Sequence, residues 1–291
     1  MPAWPPESTT CGLVLEGGGL RGVYTSGVLR ALHDLGLTFP AVIGTSMGAC
    51  NGVNWVAGQQ ERNRIVNTRF VRDTRWFSWA RLLRSGEAFG MDFIYGDVPL
   101  RLVPFDFAAF RANPAGWTTS ATDVDTGAAV YVDKPGLSDA ELMTVLRAAT
   151  SLPWIGNPVE FRGRRLMDGG LVDSVPLARS EADGLSRNLV VLTQCAGYRK
   201  QPATTGWALR RRHPGCPGLW GALARRHEQY NASLELVEQR RAAGSAFVLR
   251  PGSTLGIGRV TRDPQRLLQL YDLGYHETLA RAAELREWLV M

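Results

Sequence analysis

Lysine, cysteine, histidine and long apolar runs are all scarce in this 291-residue chain, and each scarcity excludes something. No stretch of about 18 apolar residues occurs, so no bilayer-spanning helix is expected. The opening Met1-Pro2-Ala3-Trp4-Pro5-Pro6-Glu7-Ser8 has neither a basic start nor an apolar core. It does not read as a secretory signal. The four cysteines, Cys11, Cys50, Cys195 and Cys216, are scattered without C-x-x-C spacing. They read as reduced thiols of a cytoplasmic protein, with no disulfide frame and no zinc site. Lysine occurs only at 134 and 200, so the net charge of +6 is carried by arginine. The densest basic run spans residues 199–226 and contains Arg210-Arg211-Arg212. Its plain reading is a solvated surface; the sharper one is peripheral contact with anionic membrane lipid. No nucleic-acid motif or stacking-aromatic pattern accompanies it, which excludes nucleic acid as the expected partner.

What is present is a regular alternation of short apolar strands, glycine-rich turns and amphipathic helices. Residues 11–15 read as a strand leading into Glu16-Gly17-Gly18-Gly19-Leu20-Arg21-Gly22, and a helix follows to about Leu35. A second strand enters Gly44-Thr45-Ser46-Met47-Gly48, and a second helix runs to about Ala57. This βαβα start predicts a parallel, helix-covered sheet. Residues 64–110 are rich in aromatics and read either as a packed helical insertion or as a groove for an apolar substrate. Strands are expected at 117–122 and 128–132, a helix at 139–149, and a small hairpin at 159–161 and 165–167 that ends in Asp168-Gly169-Gly170. Downstream follow a strand at 188–193, a helix at 219–243, a strand at 247–249 and a terminal helix started by Asp263-Pro264. Residues 198–217 read as a loose segment. No internal repeat or low-complexity linker divides the chain. The expectation is a tail of residues 1–10 and one domain over 11–291, its motifs within 11–195 and a helical extension over 196–291.

Three stretches carry chemistry. Gly-x-Ser-x-Gly between a strand and a helix is the nucleophile-elbow pattern, which holds a serine Oγ out at a sheet edge. Gly44 and Gly48 would let the strand and helix close together, with Thr45 and Met47 flanking the serine. The glycine loop before the first helix presents backbone N–H groups that attract anions. Gly17, Gly19 and Gly22 also spell the G-x-G-x-x-G of a dinucleotide site. That reading needs an acidic residue at the end of the next strand, where the elbow stands instead. An oxyanion hole is the better reading, because neighbouring parallel strands would send both loops off the same edge. A serine needs a base. His33, His213, His227 and His276 all fall in helices or in the arginine-rich segment. Asp168 ends a short strand and is followed by two glycines, which suits a catalytic carboxylate better than a simple turn. Asp173 reads as a brace for that loop.

The three motifs Gly17-Gly18-Gly19-Leu20-Arg21-Gly22, Gly44-Thr45-Ser46-Met47-Gly48 and Asp168-Gly169-Gly170, in this order, resemble the patatin-like phospholipase family. The resemblance covers roughly residues 11–195. Gly197-Tyr198-Arg199-Lys200, the 226–231 stretch and Leu249-Arg250-Pro251 are similar to a bacterial subgroup. The resemblance implies a three-layer α/β/α sandwich with a mainly parallel central sheet. It also implies lipid acyl hydrolase activity through a Ser–Asp dyad and an acyl-enzyme, with no cofactor and no metal. Ser46 would be the nucleophile and Asp168 the base. Gly17, Gly18, Gly19 and Gly22 would form the oxyanion loop, with Arg21 bracing it. Gly170 stands where many members carry alanine. A non-catalytic lipid- or protein-binding module and an acyltransferase are the alternatives on the same fold. The expected substrate is a lipid or small ester.

Overall fold

The computed structural model describes residues 11–204 and 206–290; the expected tail lies outside them. Eight strands form one sheet: β1 (Cys11–Leu15), β2 (Ala41–Thr45), β3 (Gly116–Asp123), β4 (Ala129–Asp133), β5 (Val159–Phe161), β6 (Arg164–Asp168), β7 (Arg187–Val191) and β8 (Ala246–Leu249). The order is β5-β6-β3-β2-β1-β7-β8, and β4 also pairs with β3. The β3-β2-β1-β7-β8 half is parallel, whereas β4 and β6 pair antiparallel with β3, and β5 antiparallel with β6. The sheet is therefore mixed, parallel at its centre.

The helices, in chain order, are α1 (Val23–Asp34), α2 (Met47–Val56), α3 (Arg62–Arg69), α4 (Trp79–Ser85), α5 (Phe107–Ala112) and α6 (Asp139–Ala149). Beyond them come α7 (Leu177–Ala182), α8 (Gly206–Arg212), α9 (Pro217–Ala242), α10 (Pro264–Ala280) and α11 (Ala282–Val290). They cover both faces, completing an α/β/α sandwich. The layering follows from side-chain alternation along each strand. Leu13, Leu15, Leu189, Val191, Phe247 and Leu249 join the core under α1, α2 and α10. Val14, Val190, Ala246 and Val248 face the other way, against α7 and α9. Both faces of these strands are buried, as in other helix-covered parallel sheets.

Local signals set several boundaries. Gly36 closes α1 at φ 74°. Ser138 and Glu141 form a reciprocal capping box at the start of α6. Asp263 caps α10, with Pro264 at its first position. α1 and α10 cross at two glycines. A Cβ on Gly27 would lie 2.0 Å from Tyr271 O, and one on Gly274 2.2 Å from Tyr24 O.

Two readings need correction, and one segment adopts a geometry that no reading covered. The 198–217 segment contains a helix, α8, whose apolar signal reduces to the buried Leu209. Residues Phe93–Leu102 wind as a π-helix around Pro99, a geometry without its own sequence period. His213 is not on a solvated loop. It is buried and its Nε2 lies 2.8 Å from Pro153 O.

Candidate active site

The sheet register brings the three motifs together. β2 pairs with β3 up to Thr45 opposite Ser120, and β6 pairs with β3 from Asp168 opposite Ala121. β4 occupies residues 118–122 of β3 on its other edge. β2 and β6 therefore run head to head along one edge of β3, and their C-terminal ends meet. Ser46 follows one and Asp168 ends the other. The Ser46 hydroxyl donates to Asp168 Oδ2 at 2.7 Å.

Each loop is fitted to that meeting. Ser46 sits at φ 55°, ψ −121°, a conformation that costs a non-glycine residue about 1–3 kcal/mol. The elbow closes because a Cβ at Gly44 would lie 2.4 Å from Gly48 O, and one at Gly48 2.3 Å from Leu15 O. Thr45 Oγ1 donates to Asp173 O at 2.8 Å and lies 2.7 Å from Ser120 Oγ. Asp173 Oδ2 accepts from Tyr131 Oη at 2.7 Å, so this residue does brace the third loop. Gly169 packs on Ser120, where a Cβ would come within 2.3 Å of the backbone oxygen. The Gly170 N–H donates to Asp168 Oδ1 at 2.6 Å. An alanine at 170 would put its Cβ 2.8 Å from the same oxygen.

The glycine loop lies against the serine: a Cβ at Gly17 would be 3.2 Å from Ser46 Cβ. The Gly17 N–H, however, donates to Ser174 O at 3.0 Å and faces away from any reacting group. Among the described residues no carbonyl takes the Gly18 or Gly19 N–H. Gly19, at φ 56°, packs on the Arg259 backbone, and Leu20 N–H donates to Arg259 O at 3.1 Å. Gly22 accepts from Asn51 Nδ2 at 2.8 Å and packs on Met47, which ties the loop to α2. Arg21 lies within the field of Glu16, and its Nε is buried with no hydrogen-bond partner.

Ser46 and Asp168 are almost wholly withdrawn from water. Burial raises the Asp168 pKa, against the Ser46 and Gly170 hydrogen bonds and the charges of Arg226 and Arg259, which lower it. A more basic carboxylate suits proton abstraction from serine. Ser46 also lines a cavity whose walls include Val53, Phe89, Ile94, Val98, Met143 and Leu146. The aromatic 64–110 segment is divided between two surroundings. Phe70, Trp76, Phe77 and Phe93 pack into a cluster of their own, while Trp76, Phe89 and Tyr95 face the cavity.

Sequence reasoning missed Arg226 and Arg259. Arg226 Nε donates to Gly170 O at 2.7 Å, beside Asp168, although it belongs to the run read as solvated. No histidine joins the pair. His213 is held by Pro153, and His227 Nδ1 lies 3.1 Å from Ala224 O within its own helix. No group of three or more metal-binding side chains occurs among the described residues.

A serine on a strained elbow, a carboxylate at its hydroxyl and an apolar cavity beside them make up the site. The chain belongs to the patatin-like phospholipase family, whose model matches residues 13–179. A second model, described as a domain of unknown function (DUF6363), matches residues 216–290. The protein is similar to YjjU of Escherichia coli (strain K12), 26% identical over 62% of this chain and 51% of that one. It is similar also to the NTE family protein Rv1063c of Mycobacterium tuberculosis (strain ATCC 25618 / H37Rv), 28% identical over 68% of this chain and 52% of that one. Lysophospholipase NTE1 of Yarrowia lipolytica (strain CLIB 122 / E 150) is 26% identical over 95% of this chain but 20% of its own length. The chain thus spans about half the length of the two bacterial relatives. VipD from Legionella pneumophila shares the fold at a TM-score of 0.51 and 12% identity, over 95% of this chain and 67% of that one.

Proposed function

We propose that this protein is a serine-dependent lipid acyl hydrolase of the phospholipase A, lysophospholipase or carboxylesterase kind. Ser46 is the nucleophile and Asp168 the general base. The observation that carries this reading is the 2.7 Å hydrogen bond from Ser46 Oγ to Asp168 Oδ2 at one end of an apolar cavity. The name lysophospholipase borne by a relative adds support for an acyl ester of a lipid.

In this reading the acyl chain lies in the cavity and the ester carbonyl meets Ser46. Asp168 takes the hydroxyl proton as Oγ bonds to the carbonyl carbon, and the charge passes to the carbonyl oxygen. The Gly18 and Gly19 amides stabilise that oxyanion. Collapse of the tetrahedral species expels the alcohol, which takes the proton from Asp168 and leaves an acyl-Ser46. Water, giving a proton to Asp168, then bonds to the acyl carbon; the acyl–Oγ bond breaks, the carboxylic acid leaves and Asp168 returns the proton to Ser46 Oγ. Residues 11–290 act as one unit in this scheme, since β8 extends the same sheet and Arg226 reaches the third motif. No helix among the described residues is long and apolar enough to cross a membrane. A cytoplasmic setting with peripheral contact to lipid is the matching proposal.

A fluorophosphonate probe tests the nucleophile. It should label the wild type at Ser46 and leave Ser46→Ala unlabelled, with p-nitrophenyl ester turnover lost in parallel. Absence of labelling in the folded wild type would favour a binding module.

A further inference from the structure

Four basic side chains flank the site, Lys200, Arg226 and Arg259 from the C-terminal segment and Arg21 from the glycine loop. Lys200 is anchored to α9 by two hydrogen bonds with Asn231, its N–H to Asn231 Oδ1 at 2.9 Å and Asn231 Nδ2 to its carbonyl at 3.1 Å. Its Nζ lies 3.5 Å from the centre of the Tyr230 ring. Arg226 sits on Gly170 O beside Asp168. Arg259 lines the same cavity as Ser46 and is held against the glycine loop by Gly19 and Leu20. Arg21 lies in that loop. Among the described residues, none of the four makes a direct ion pair.

Their fields overlap. Burial first, and then the charges of Arg226 and Arg259, push the Lys200 pKa down, and Arg259 also lowers that of Arg21. The carboxylates facing them are Glu16 and Asp168, two against three arginines; Lys200, its pKa pushed down to about 6, takes up its proton fully only when an anion joins them. Glu16 is already engaged: Oε1 accepts from Tyr230 Oη at 2.7 Å and Oε2 accepts from the Thr193 N–H. Half-buried basic groups without a carboxylate partner are costly to assemble, and an anion among them offsets that cost.

We propose that Arg21, Lys200, Arg226 and Arg259 form an anion subsite for the phosphate of the substrate's head group, giving preference for acyl esters whose head group is net negative. This rests on the hydrolase reading above. With the acyl chain in the cavity and the ester at Ser46, the alcohol portion meets Arg259 on the cavity wall, and Arg226 lies behind it at Gly170 O, beside Asp168. A zwitterionic head group gains less, because both oxygens of Glu16 are engaged and leave a trimethylammonium no free acid. A bound phosphate also offsets the pull of Arg226 and Arg259 on Asp168, which strengthens that base while substrate is present.

Calorimetry with ether lipids, which carry no scissile ester, tests the subsite without turnover. The probes are an alkyl-glycerol phosphate, the matching alkyl-glycerol, the matching alkyl-glycerophosphocholine and inorganic phosphate. The alkyl-glycerol phosphate should bind at least tenfold more tightly than the other two lipids. Arg259→Met and Lys200→Met, the latter keeping its stem on Tyr230, should each reduce that preference to threefold or less, and Arg259→Lys should restore most of it. Equal binding of the three lipids overturns the proposal, as does a preference that survives both methionine variants. Inorganic phosphate binding as tightly as the alkyl-glycerol phosphate would assign the site to a free anion and overturn the head-group role. Failure of fluorophosphonate labelling, by contrast, strikes the hydrolase reading and leaves these binding results to stand by themselves.

Discussion

Replacing Asp168 with asparagine separates the carboxylate's chemistry from its place in the fold. The Asp168→Asn variant keeps the shape of the side chain, and the new amide oxygen still accepts from the Gly170 N–H. The amide nitrogen then faces Ser46 Oγ and can only donate, so the hydroxyl loses the acceptor that takes its proton. Loss of general-base assistance costs about 10²–10⁴ in rate, or about 3–5 kcal/mol of barrier. The stability change has the opposite sign. Asp168 binds its proton more tightly in the folded state than its reference value of 3.8 allows. Ionised, it therefore disfavours folding, and the penalty is full above the folded pKa and vanishes below 3.8. The asparagine variant should match or exceed the wild type in urea midpoint at pH 8, and this advantage should shrink as pH falls. Steady-state p-nitrophenyl ester kinetics and urea titrations at several pH values measure both effects. Activity within tenfold of the wild type would refute the base assignment. So would a folded variant at His33, His213, His227 or His276 without turnover, because it would restore a triad.

Two further substitutions probe the frame and the cavity. Gly48→Ala places a Cβ 2.3 Å from Leu15 O, between backbones that have nowhere to move. It should cost about 1–3 kcal/mol or more by urea unfolding, with esterase activity falling alongside. Met143→Trp narrows the cavity beside Ser46. The ratio of p-nitrophenyl octanoate to p-nitrophenyl acetate turnover should fall several-fold; an unchanged ratio would remove the cavity from the acyl-binding role.

Much of the fold was legible because the strands are short, apolar and bounded by glycine turns. The α6 span follows from its amphipathic pattern, its start fixed by the Ser138 cap, and the α10 start follows from Asp263-Pro264. The motifs named Ser46 and Asp168, but not why they meet. That depends on β6 running antiparallel along the edge of β3 that β2 vacates, a pairing between strands about 45 residues apart with no local signature. The Gly17 amide was misread because its acceptor, Ser174 O, lies far along the chain. The arginine run misled in a different way. Composition places arginine outside, yet Arg226 and Arg212 reach inward to carbonyls of Gly170, Pro153 and Gly156. A long side chain can bury its stem and still find oxygen atoms, so charge alone does not report depth.

The crossing of α1 and α10 at Gly27 and Gly274, together with β8 on the edge of β7, has a consequence for biosynthesis. A nascent chain halted near residue 195 would have made all three motifs and would still lack the strand that covers the β7 edge and the helix that covers α1. Its open edge and bare apolar face are the surfaces on which unfinished chains aggregate. Truncated versions carrying only the motif-bearing part should therefore accumulate as insoluble material, and the stretch made after residue 195 is the one that makes the rest safe.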